Sequence, residues 1–328
     1  MCLSDKPGNQ IANAFKFYVI LVISFGRDLI VVYHFHMASL AATTNLLKER
    51  YLPLIKSRQT FLLALTGIAG YLYQAPAPLN WQHLIGLVGS LLGTISGCTV
   101  LNMLFDRDID CQMERTRHRP LATGQVQAHQ AAWLGGGLIV LGLAWAASLS
   151  MAYFTIVLAG ALLNVVVYTL WFKRRSAWSI LVGGLAGVMP ILAGRFLAVG
   201  HLDLLGVLLA LVIVCWIPGH NLTLTTLYAR DYLTAKVPTF INVYGQSATY
   251  LMVTLSNLVI ASLALFICAN ASLPVPILVF FLVASVGLVG LAGFSWLNPS
   301  ERRTVVLYKY SSLYLLLFML ILSYSGLR

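Results

Sequence analysis

Charged side chains are scarce in this sequence. Only 9% of its 328 residues are Asp, Glu, Lys or Arg, and only ten are acidic. The runs 59–105, 125–172 and 237–300 contain none of these four residue types, while 59% of the chain is hydrophobic. Since a membrane-spanning helix needs roughly 20 apolar residues, these runs exclude a soluble globular protein and indicate an integral membrane protein.

Cysteine is also sparse. The five cysteines, at positions 2, 98, 111, 215 and 268, are scattered, with no Cys-x-x-Cys pair and no cluster of cysteines with histidines. Disulfide frameworks and zinc sites both need closely spaced or paired ligands. The sequence therefore excludes both as the basis of the fold.

The uncharged runs predict an all-α protein, a polytopic membrane bundle of nine transmembrane helices in a single domain, residues 37–328. Residues 1–36 fit this pattern poorly, because Arg27 and Asp28 interrupt an apolar run. We interpret them as an N-terminal extension, for which an overcalled translation start and a tilted or re-entrant helix are both open explanations. The nine crossings are expected at about 60–75, 82–105, 130–148, 151–172, 177–198, 204–226, 247–268, 274–296 and 305–325.

Lys and Arg residues fall on alternate loops of this pattern. Of the 21, 16 lie in five segments: 48–58, 107–119, 173–175, 230–236 and 302–309. The loops between them hold only Arg195 and Arg328. Cytoplasmic loops carry the excess of basic residues, so we expect the five segments on the cytoplasmic side of a bacterial or archaeal cell membrane. Topology and lipid headgroups then explain the net charge of +11, and nucleic acid is not a partner.

The most polar stretch, Asn102–Val126, follows the second predicted crossing. Asn102, Asp106 and Asp110 are spaced four residues apart, which places all three on one face of a helix, whereas Asp108 points elsewhere. Carboxylate and amide oxygens are hard ligands suited to Mg²⁺, which usually takes one or two carboxylates plus substrate phosphates. The alternative is a solvated helix end. Acids at a helix C-terminus oppose the dipole, however, and a bound cation compensates for them.

We call Asn102, Asp106 and Asp110 the metal ledge. Three arginines follow it, at positions 115, 117 and 119. Guanidinium groups grip phosphate oxygens with two parallel hydrogen bonds. A loop that only marks the cytoplasmic side would explain the charge but not the Arg-Pro-Leu-Ala-Thr-Gly run that begins at Arg119. The two features together predict a diphosphate site at a membrane surface.

These residues resemble a known family. Asn-x3-Asp-x3-Asp followed by Arg-Thr-Arg-x-Arg-Pro-Leu-x-Thr-Gly is similar to the first motif of the intramembrane prenyltransferases of the UbiA superfamily. Within it, the run is most similar to the protoheme IX farnesyltransferases. The resemblance extends over Tyr51–Gly245, where Pro238 and Gly245 match the second loop, and Ser57 stands where that branch usually has Pro.

The second motif departs from the family pattern. The superfamily usually carries two carboxylates there, and the haem branch has Asp-Asp-Tyr, but this chain has Arg230-Asp231-Tyr232. Asp231 alone is then expected to share a metal with the diphosphate, and Arg230 to contact phosphate directly. His220 matches a histidine that opens the second motif helix. A lone intramembrane histidine is more often a packing residue than an iron ligand, and both interpretations stay open at this point.

The resemblance implies farnesyl transfer from an allylic diphosphate to a haem vinyl group, giving haem O, with Mg²⁺ as cofactor. The partners are an isoprenyl diphosphate, haem B or another lipid-soluble acceptor, and membrane lipid. The implied catalytic residues are Asp106, Asp110 and Asp231, the metal ligands are these three with Asn102, and the substrate contacts are Lys56, Arg58, Arg115, Arg117, Arg119, His220, Tyr228, Arg230 and Lys236. Candidates to stabilise a carbocation are Tyr71, Tyr168, Trp171 and Trp216.

Other functions are open as well. The same chemistry suits prenylation of an aromatic quinone precursor or a lipid alcohol. A transporter for an anionic lipid or metabolite predicts charge inside the membrane, whereas the acids here cluster at one face. The altered second motif is compatible with an inactive scaffold. Of the other polar positions, Lys173–Arg175 are interpreted as topology signals, and Asn164 and Asn257 as interhelical hydrogen-bonding residues.

Overall fold

The computed structural model describes residues 47–73, 78–271 and 273–326, so the prediction for residues 1–36 lies outside it. Within these ranges the chain forms helices and no β-strand. The long helices are α1 Ser57–Leu72, α2 Trp81–Phe105, α3 Ala128–Leu149, α4 Met151–Leu162 continuing as a π-helix over Leu163–Phe172, α5 Ser179–Val199, α6 Leu204–Leu227, α7 Phe240–Ala269, α8 Val275–Leu297 and α9 Glu301–Gly326.

Eight of these helices, α2 to α9, are long and apolar enough to cross a membrane. Helix α1 has 16 residues, fewer than the roughly 20 that a full crossing needs, and two short helical segments, Leu47–Tyr51 and Leu52–Ile55, precede it. In the described ranges, then, long helices occupy all nine predicted positions. The prediction of an all-α membrane bundle is confirmed.

Glycines let the backbones of the helices come unusually close. A Cβ atom on Gly194 of α5 would lie 1.9 Å from the carbonyl oxygen of Gly67 on α1, and one on Gly97 of α2 would lie 2.5 Å from that of Gly135 on α3. No side chain fits at either contact. In lipid, where there is no hydrophobic force between helices, such small-residue contacts supply the van der Waals attraction that holds a bundle together.

Arg195, one of the two basic residues on the side opposite the five basic segments, forms an ion pair inside the bundle. It is buried near the end of α5 and donates hydrogen bonds to Asp203 Oδ2 at 2.6 Å and to the Tyr73 carbonyl oxygen at 2.7 Å. These hydrogen bonds hold the pKa of Asp203 below its usual range. Arg195 therefore belongs to a structural ion pair that holds α1, α5 and α6 together. This pair lies at the end of the bundle opposite the two loops that carry the first and second motifs, which we call the motif loops.

The topology is directly testable by cysteine labelling. Cysteines introduced at the exposed positions His201 and Asn270 are expected to react with a membrane-impermeant maleimide added outside intact cells. Cysteines at Gln125 and Asn298, also exposed, are expected to react only after the membrane is opened, because their loops belong to the basic side. The exposed Cys111 is replaced by serine in all four variants. The opposite labelling pattern would overturn the orientation.

Candidate active site where two polar loops meet

The metal ledge lies where α2 ends. The helix stops at Phe105, Asp106 leaves helical geometry with φ −92° and ψ 1°, and a short helix follows over Arg107–Asp110. The i to i+4 hydrogen bonds nevertheless continue through the break, from Asp106 N to Asn102 O at 3.0 Å and from Asp110 N to Asp106 O at 2.8 Å. Both carboxylates are buried, Asp106 with 1% and Asp110 with 4% of its surface exposed.

Each of the three predicted ligands in the first motif accepts a hydrogen bond from a basic side chain elsewhere in the chain. Lys173 donates to Asp106 Oδ2. Arg119 Nη1 donates to both oxygens of Asp110, at 2.9 and 2.8 Å. Because a buried carboxylate is costly without a positive partner, these pairs offset the cost of burying the two side chains. The oxygen Asp106 Oδ1 is buried and has no hydrogen-bond partner among the described residues.

Lys56 supplies the third cation, from the turn between the second short helical segment and α1. Its backbone is left-handed, with φ 44° and ψ 56°, and its Nζ donates to Asn102 Oδ1 at 3.3 Å. Burial and the nearby charges of Arg119 and Lys173 lower the pKa of Lys56 to about 7. For Lys173, burial lowers the pKa, but Tyr168 and Asp106 raise it by more, so its pKa is above the usual value.

Asp108 faces away from this cluster, as the spacing predicts. Its carboxylate is 58% exposed and accepts two hydrogen bonds of 2.7 Å from the guanidinium of Arg174. These hydrogen bonds lower the pKa of Asp108. The interpretation of Lys173 and Arg174 as topology signals therefore misses their contacts, since each also neutralises one acid of the first motif.

Arg115 joins the two motif loops. Its backbone N–H donates to Asp231 Oδ2 at 3.1 Å, its Nη2 donates to the Tyr232 hydroxyl at 3.2 Å, and its guanidinium lies 4.6 Å from the Tyr228 ring centroid. A small apolar cluster packs beneath these contacts, formed by Ile109, Met113, Tyr232, Ala235 and Val237. The polar contacts of Arg115 and this apolar cluster together hold the two motif loops against each other.

The structure leaves three of the predicted substrate contacts in solvent. The Arg117 side chain is 68% exposed, and its Nη2 lies 3.9 Å from Oε1 of Glu114, which is 83% exposed. Arg230 and Lys236 are exposed on the second loop, away from the contacts of Asp231. Arg58 is exposed too, but it lines the mouth of an internal cavity. The charge pattern alone does not distinguish these positions from Arg115 and Arg119.

That cavity, of about 580 Å³, extends into the bundle from Arg58. Its walls come mostly from apolar residues of α1, α2, α4, α5, α6 and α9, and its polar lining residues include Thr94, Asn164, His220, Asn221 and Ser312. Ligand sites of this kind typically measure 300–1,000 Å³ and are mainly apolar with a few polar groups. Of the predicted carbocation candidates, Trp216 lines the cavity, whereas Trp171 is 53% exposed and the Tyr71 hydroxyl donates to the Asn80 carbonyl at 3.1 Å.

His220 is clamped between two aromatic rings. The Trp216 ring stacks on one side at 4.2 Å and the Tyr308 ring at 4.4 Å, and Ser312 Oγ lies 3.3 Å from His220 Nδ1. Trp216 precedes His220 by four residues on α6, so the sequence spacing anticipates that contact. Tyr308 and Ser312 come from α9, which no local pattern reveals.

A serine hydroxyl from α7 enters the hydrogen-bond ladder of α6 next to His220. Pro218 lacks the N–H that a regular helix uses, and Ser256 of α7 enters the helical ladder beside it. The hydroxyl of Ser256 accepts from Gly219 N at 3.0 Å and donates to the Cys215 carbonyl. Polar side chains that re-satisfy a freed backbone allow prolines inside membrane helices. Gly219, whose N–H bonds to Ser256, directly precedes His220.

The ledge offers a donor set that fits Mg²⁺. Its oxygens come from Asn102, Asp106 and Asp110, they are hard ligands, and Asp106 Oδ1 has no hydrogen-bond partner within the described part of the chain. In the described ranges, no three His, Cys, Asp or Glu side chains come together as a metal-binding group. A metal here would therefore take its remaining ligands from substrate and water, which is the usual habit of Mg²⁺.

Comparison with known sequences gives a family. The pattern of the UbiA prenyltransferase family matches residues 63–322. The protoheme IX farnesyltransferase of Korarchaeum cryptofilum is 36% identical over 250 residues, covering 71% of this chain and 81% of that protein. The protoheme IX farnesyltransferase of Desulforudis audaxviator is 34% identical over 274 residues, covering 81% and 85% respectively.

Solved structures share the fold. A structure of digeranylgeranylglyceryl phosphate synthase superposes with a TM-score of 0.70 at 17% identity, covering 86% of this chain and 99% of that one. A UbiA homologue from Archaeoglobus fulgidus, bound to DMAPP and Mg²⁺, superposes with a TM-score of 0.64 at 16% identity, covering 84% and 99%. Together with the match over residues 63–322, this establishes that the chain is a membrane prenyltransferase and belongs to the UbiA family.

Proposed function

We propose that this enzyme transfers the farnesyl group of farnesyl diphosphate to a vinyl group of haem B and, by adding water, produces haem O. The observation that carries the proposal is the cavity of about 580 Å³ with a clamped histidine on its wall. The relatives named protoheme IX farnesyltransferase, at 34–36% identity over most of their length, support the same acceptor.

Asn102, Asp106 and Asp110 would hold Mg²⁺ together with the oxygens of the diphosphate. When bound, the metal stabilises the negative charge of the leaving group as the allylic C–O bond breaks. Lys56, Lys173 and Arg119 already contact the three ligands, so these cations are placed to turn to phosphate oxygens. When Mg²⁺ replaces one of these cations at its acid, the cation can pair with a phosphate oxygen instead. The buried charges then stay paired, which limits the electrostatic cost of binding.

The second loop contributes from the opposite side. Arg115 keeps a buried Nε with no hydrogen-bond partner among the described residues, and a diphosphate oxygen would satisfy it. Asp231 orients that arginine by accepting its backbone N–H. The apolar cavity walls would shield the allylic carbocation from bulk water, with Trp216, which lines the cavity, as a candidate for cation–π stabilisation.

The hydrogen bonds of His220 favour a role as a ligand to the haem iron. Ser312 Oγ is 2.8 Å from the Tyr308 carbonyl, its partner one turn back, and 3.3 Å from His220 Nδ1. A serine has one hydroxyl proton, and Ser312 donates it to the Tyr308 carbonyl in the shorter of the two hydrogen bonds. Nδ1 then carries the proton and donates to Ser312, which leaves the lone pair of Nε2 for a metal.

Product identity tests the proposed function. Membranes containing the enzyme would be incubated with Mg²⁺, farnesyl diphosphate and either haem B or 4-hydroxybenzoate, and the products separated by mass. A farnesylated, hydrated haem is expected, and only with haem B. Prenylated hydroxybenzoate, or a prenylated lipid alcohol from the membrane, would replace the haem assignment by the alternative acceptor.

The iron contact gives a separate prediction. His220→Ala is expected to shift the Soret band of the haem-loaded protein and to weaken haem binding, as monitored by titration in detergent. Ser312→Ala is expected to weaken haem binding by about tenfold, the usual effect of removing a group that orients a metal ligand. His201→Ala, which changes an exposed histidine at the opposite end, serves as the control. An unaltered Soret band in the His220 variant would contradict iron ligation.

A further inference from the structure

The carboxamide of Asn164 has no hydrogen-bond partner among the described residues. Its Oδ1 is buried and unsatisfied, and the residue lines the 580 Å³ cavity. The sequence-based expectation that Asn164 bonds to a neighbouring helix is therefore wrong. An unpaired amide oxygen in a bilayer costs free energy, which points to a polar molecule that completes it.

The backbone around Asn164 connects it to the metal ledge. Residues Leu163–Phe172 form a π-helix, a wide turn that often marks functional sites. Thr169 Oγ1 donates to the Asn164 carbonyl at 2.7 Å and accepts from Asn102 Nδ2 at 2.9 Å. One threonine thus links Asn164 to a predicted metal ligand, at the junction of the diphosphate site and the apolar cavity.

Thr94 provides a comparison within the same cavity. Its hydroxyl is also buried without a partner. That hydroxyl is turned towards α3, however, because a Cβ on Gly142 would lie 2.4 Å from it. Thr94 Oγ1 therefore lies at the contact between α2 and α3, whereas Asn164 Oδ1 belongs to a residue that lines the cavity and has no hydrogen-bond partner in the described ranges.

We infer that Asn164 holds the water molecule that completes the product, an inference that rests on the proposed function. The vinyl π electrons form a C–C bond to farnesyl C1 while the C1–O bond breaks and its electron pair leaves with diphosphate. This leaves a cation on the vinyl carbon next to the porphyrin. A water that donates one hydrogen to Asn164 Oδ1 turns its lone pair to this cation, forms the C–O bond, and loses its proton to the departing diphosphate.

Without a held water, the same cation has another outcome. The dry cavity that protects the allylic cation also keeps bulk water away from the second one. The second cation then loses a neighbouring proton to diphosphate and gives an alkene, lighter than the hydrated product by one water molecule. Asn164 is thus expected to set the ratio of alcohol to alkene, while farnesyl transfer itself proceeds.

Product ratios test this role. Asn164→Leu keeps the branched shape of the side chain and removes the acceptor, and Asn164→Asp retains an acceptor oxygen. With haem B, farnesyl diphosphate and Mg²⁺, Asn164→Leu is expected to give mainly the alkene at a total prenylation rate within a few fold of the parent. Asn164→Asp and the control Thr94→Val are expected to give mainly the alcohol.

Each result decides between the alternatives. An unchanged alcohol fraction in Asn164→Leu overturns the inference. Loss of all prenyl transfer in the folded variants Asn164→Leu and Asn164→Val also overturns the inference. That result would assign Asn164 to the first bond-forming step. Asn164→Val carries the test if the leucine variant does not fold. If the parent enzyme gives no prenylated haem at all, the proposed function has failed and the role of Asn164 fails with it.

Discussion

Replacing Asp106 with asparagine is expected to slow farnesyl transfer by about 10²–10³-fold, or 3–4 kcal/mol of transition-state stabilisation, the loss typical of a main electrostatic contact. Asp106 is 1% exposed, holds Lys173 with one oxygen and leaves the other unsatisfied. Asparagine has the same shape but no negative charge, so it weakens attraction for Mg²⁺ and releases Lys173. The measurement is the single-turnover rate over a Mg²⁺ titration.

Asp108→Asn is the matched control, since it makes the same chemical change two residues away. Its carboxylate is 58% exposed and paired with Arg174 outside the cluster, so the rate is expected to fall by no more than a few fold. Asp110→Asn is expected to behave like Asp106→Asn. Thermal melting in detergent separates lost chemistry from lost folding, because Lys173 would be left buried without its anion. Equal rates in all three variants would rule out the metal ledge.

The fold was largely predictable because lipid imposes a simple rule. Each crossing must be long, apolar and helical, so charged residues mark the loops. The predicted crossing at 151–172 matches Met151–Phe172, and that at 204–226 matches Leu204–Leu227. The π-helical half of α4 was not predictable. Its sequence is uniformly apolar, and its wide turn depends on a bond from Thr169 to Asn164 that hydropathy does not encode.

The candidate site was predictable only where its residues are close in sequence. The four-residue spacing of Asn102, Asp106 and Asp110 reveals a shared face. The partners of these residues come from other helices. Lys173 follows α4 in a basic triplet that looks like any cytoplasmic loop, and it reaches Asp106 only because that end of α4 packs against α2.

The same limit applies to the second loop and the cavity. Arg115 and Arg117 occupy equivalent places in the motif, yet one is clamped between loops and the other is solvated. The stack on His220 combines a local neighbour, Trp216, with Tyr308 from α9. Sequence spacing therefore identifies which chemistry is present, and tertiary packing decides which of several similar side chains takes part in it.

Asp231→Asn is expected to slow farnesyl transfer several hundredfold, about 3–4 kcal/mol, if this carboxylate acts on the metal–diphosphate complex by its charge. The structure gives Asp231 a second task, because its Oδ2 accepts the backbone N–H of Arg115 at 3.1 Å and ties the motif loops together. Asparagine retains an oxygen that can accept this hydrogen bond, but it lacks the charge. Alanine lacks both, so the two variants separate the two tasks.

If charge is what matters, Asp231→Asn and Asp231→Ala lose activity to a similar extent. If the loop contact is what matters, Asp231→Asn is nearly normal and Asp231→Ala alone is impaired, which would remove Asp231 from the catalytic residues.

Arg230→Asp supplies a further comparison, since it restores two adjacent acids in the second motif. Its side chain is exposed, so the change is expected to leave folding intact and to raise the dependence of the rate on Mg²⁺, because a second carboxylate favours a second bridging ion. An unchanged Mg²⁺ dependence in this variant would mean that position 230 lies outside the diphosphate site.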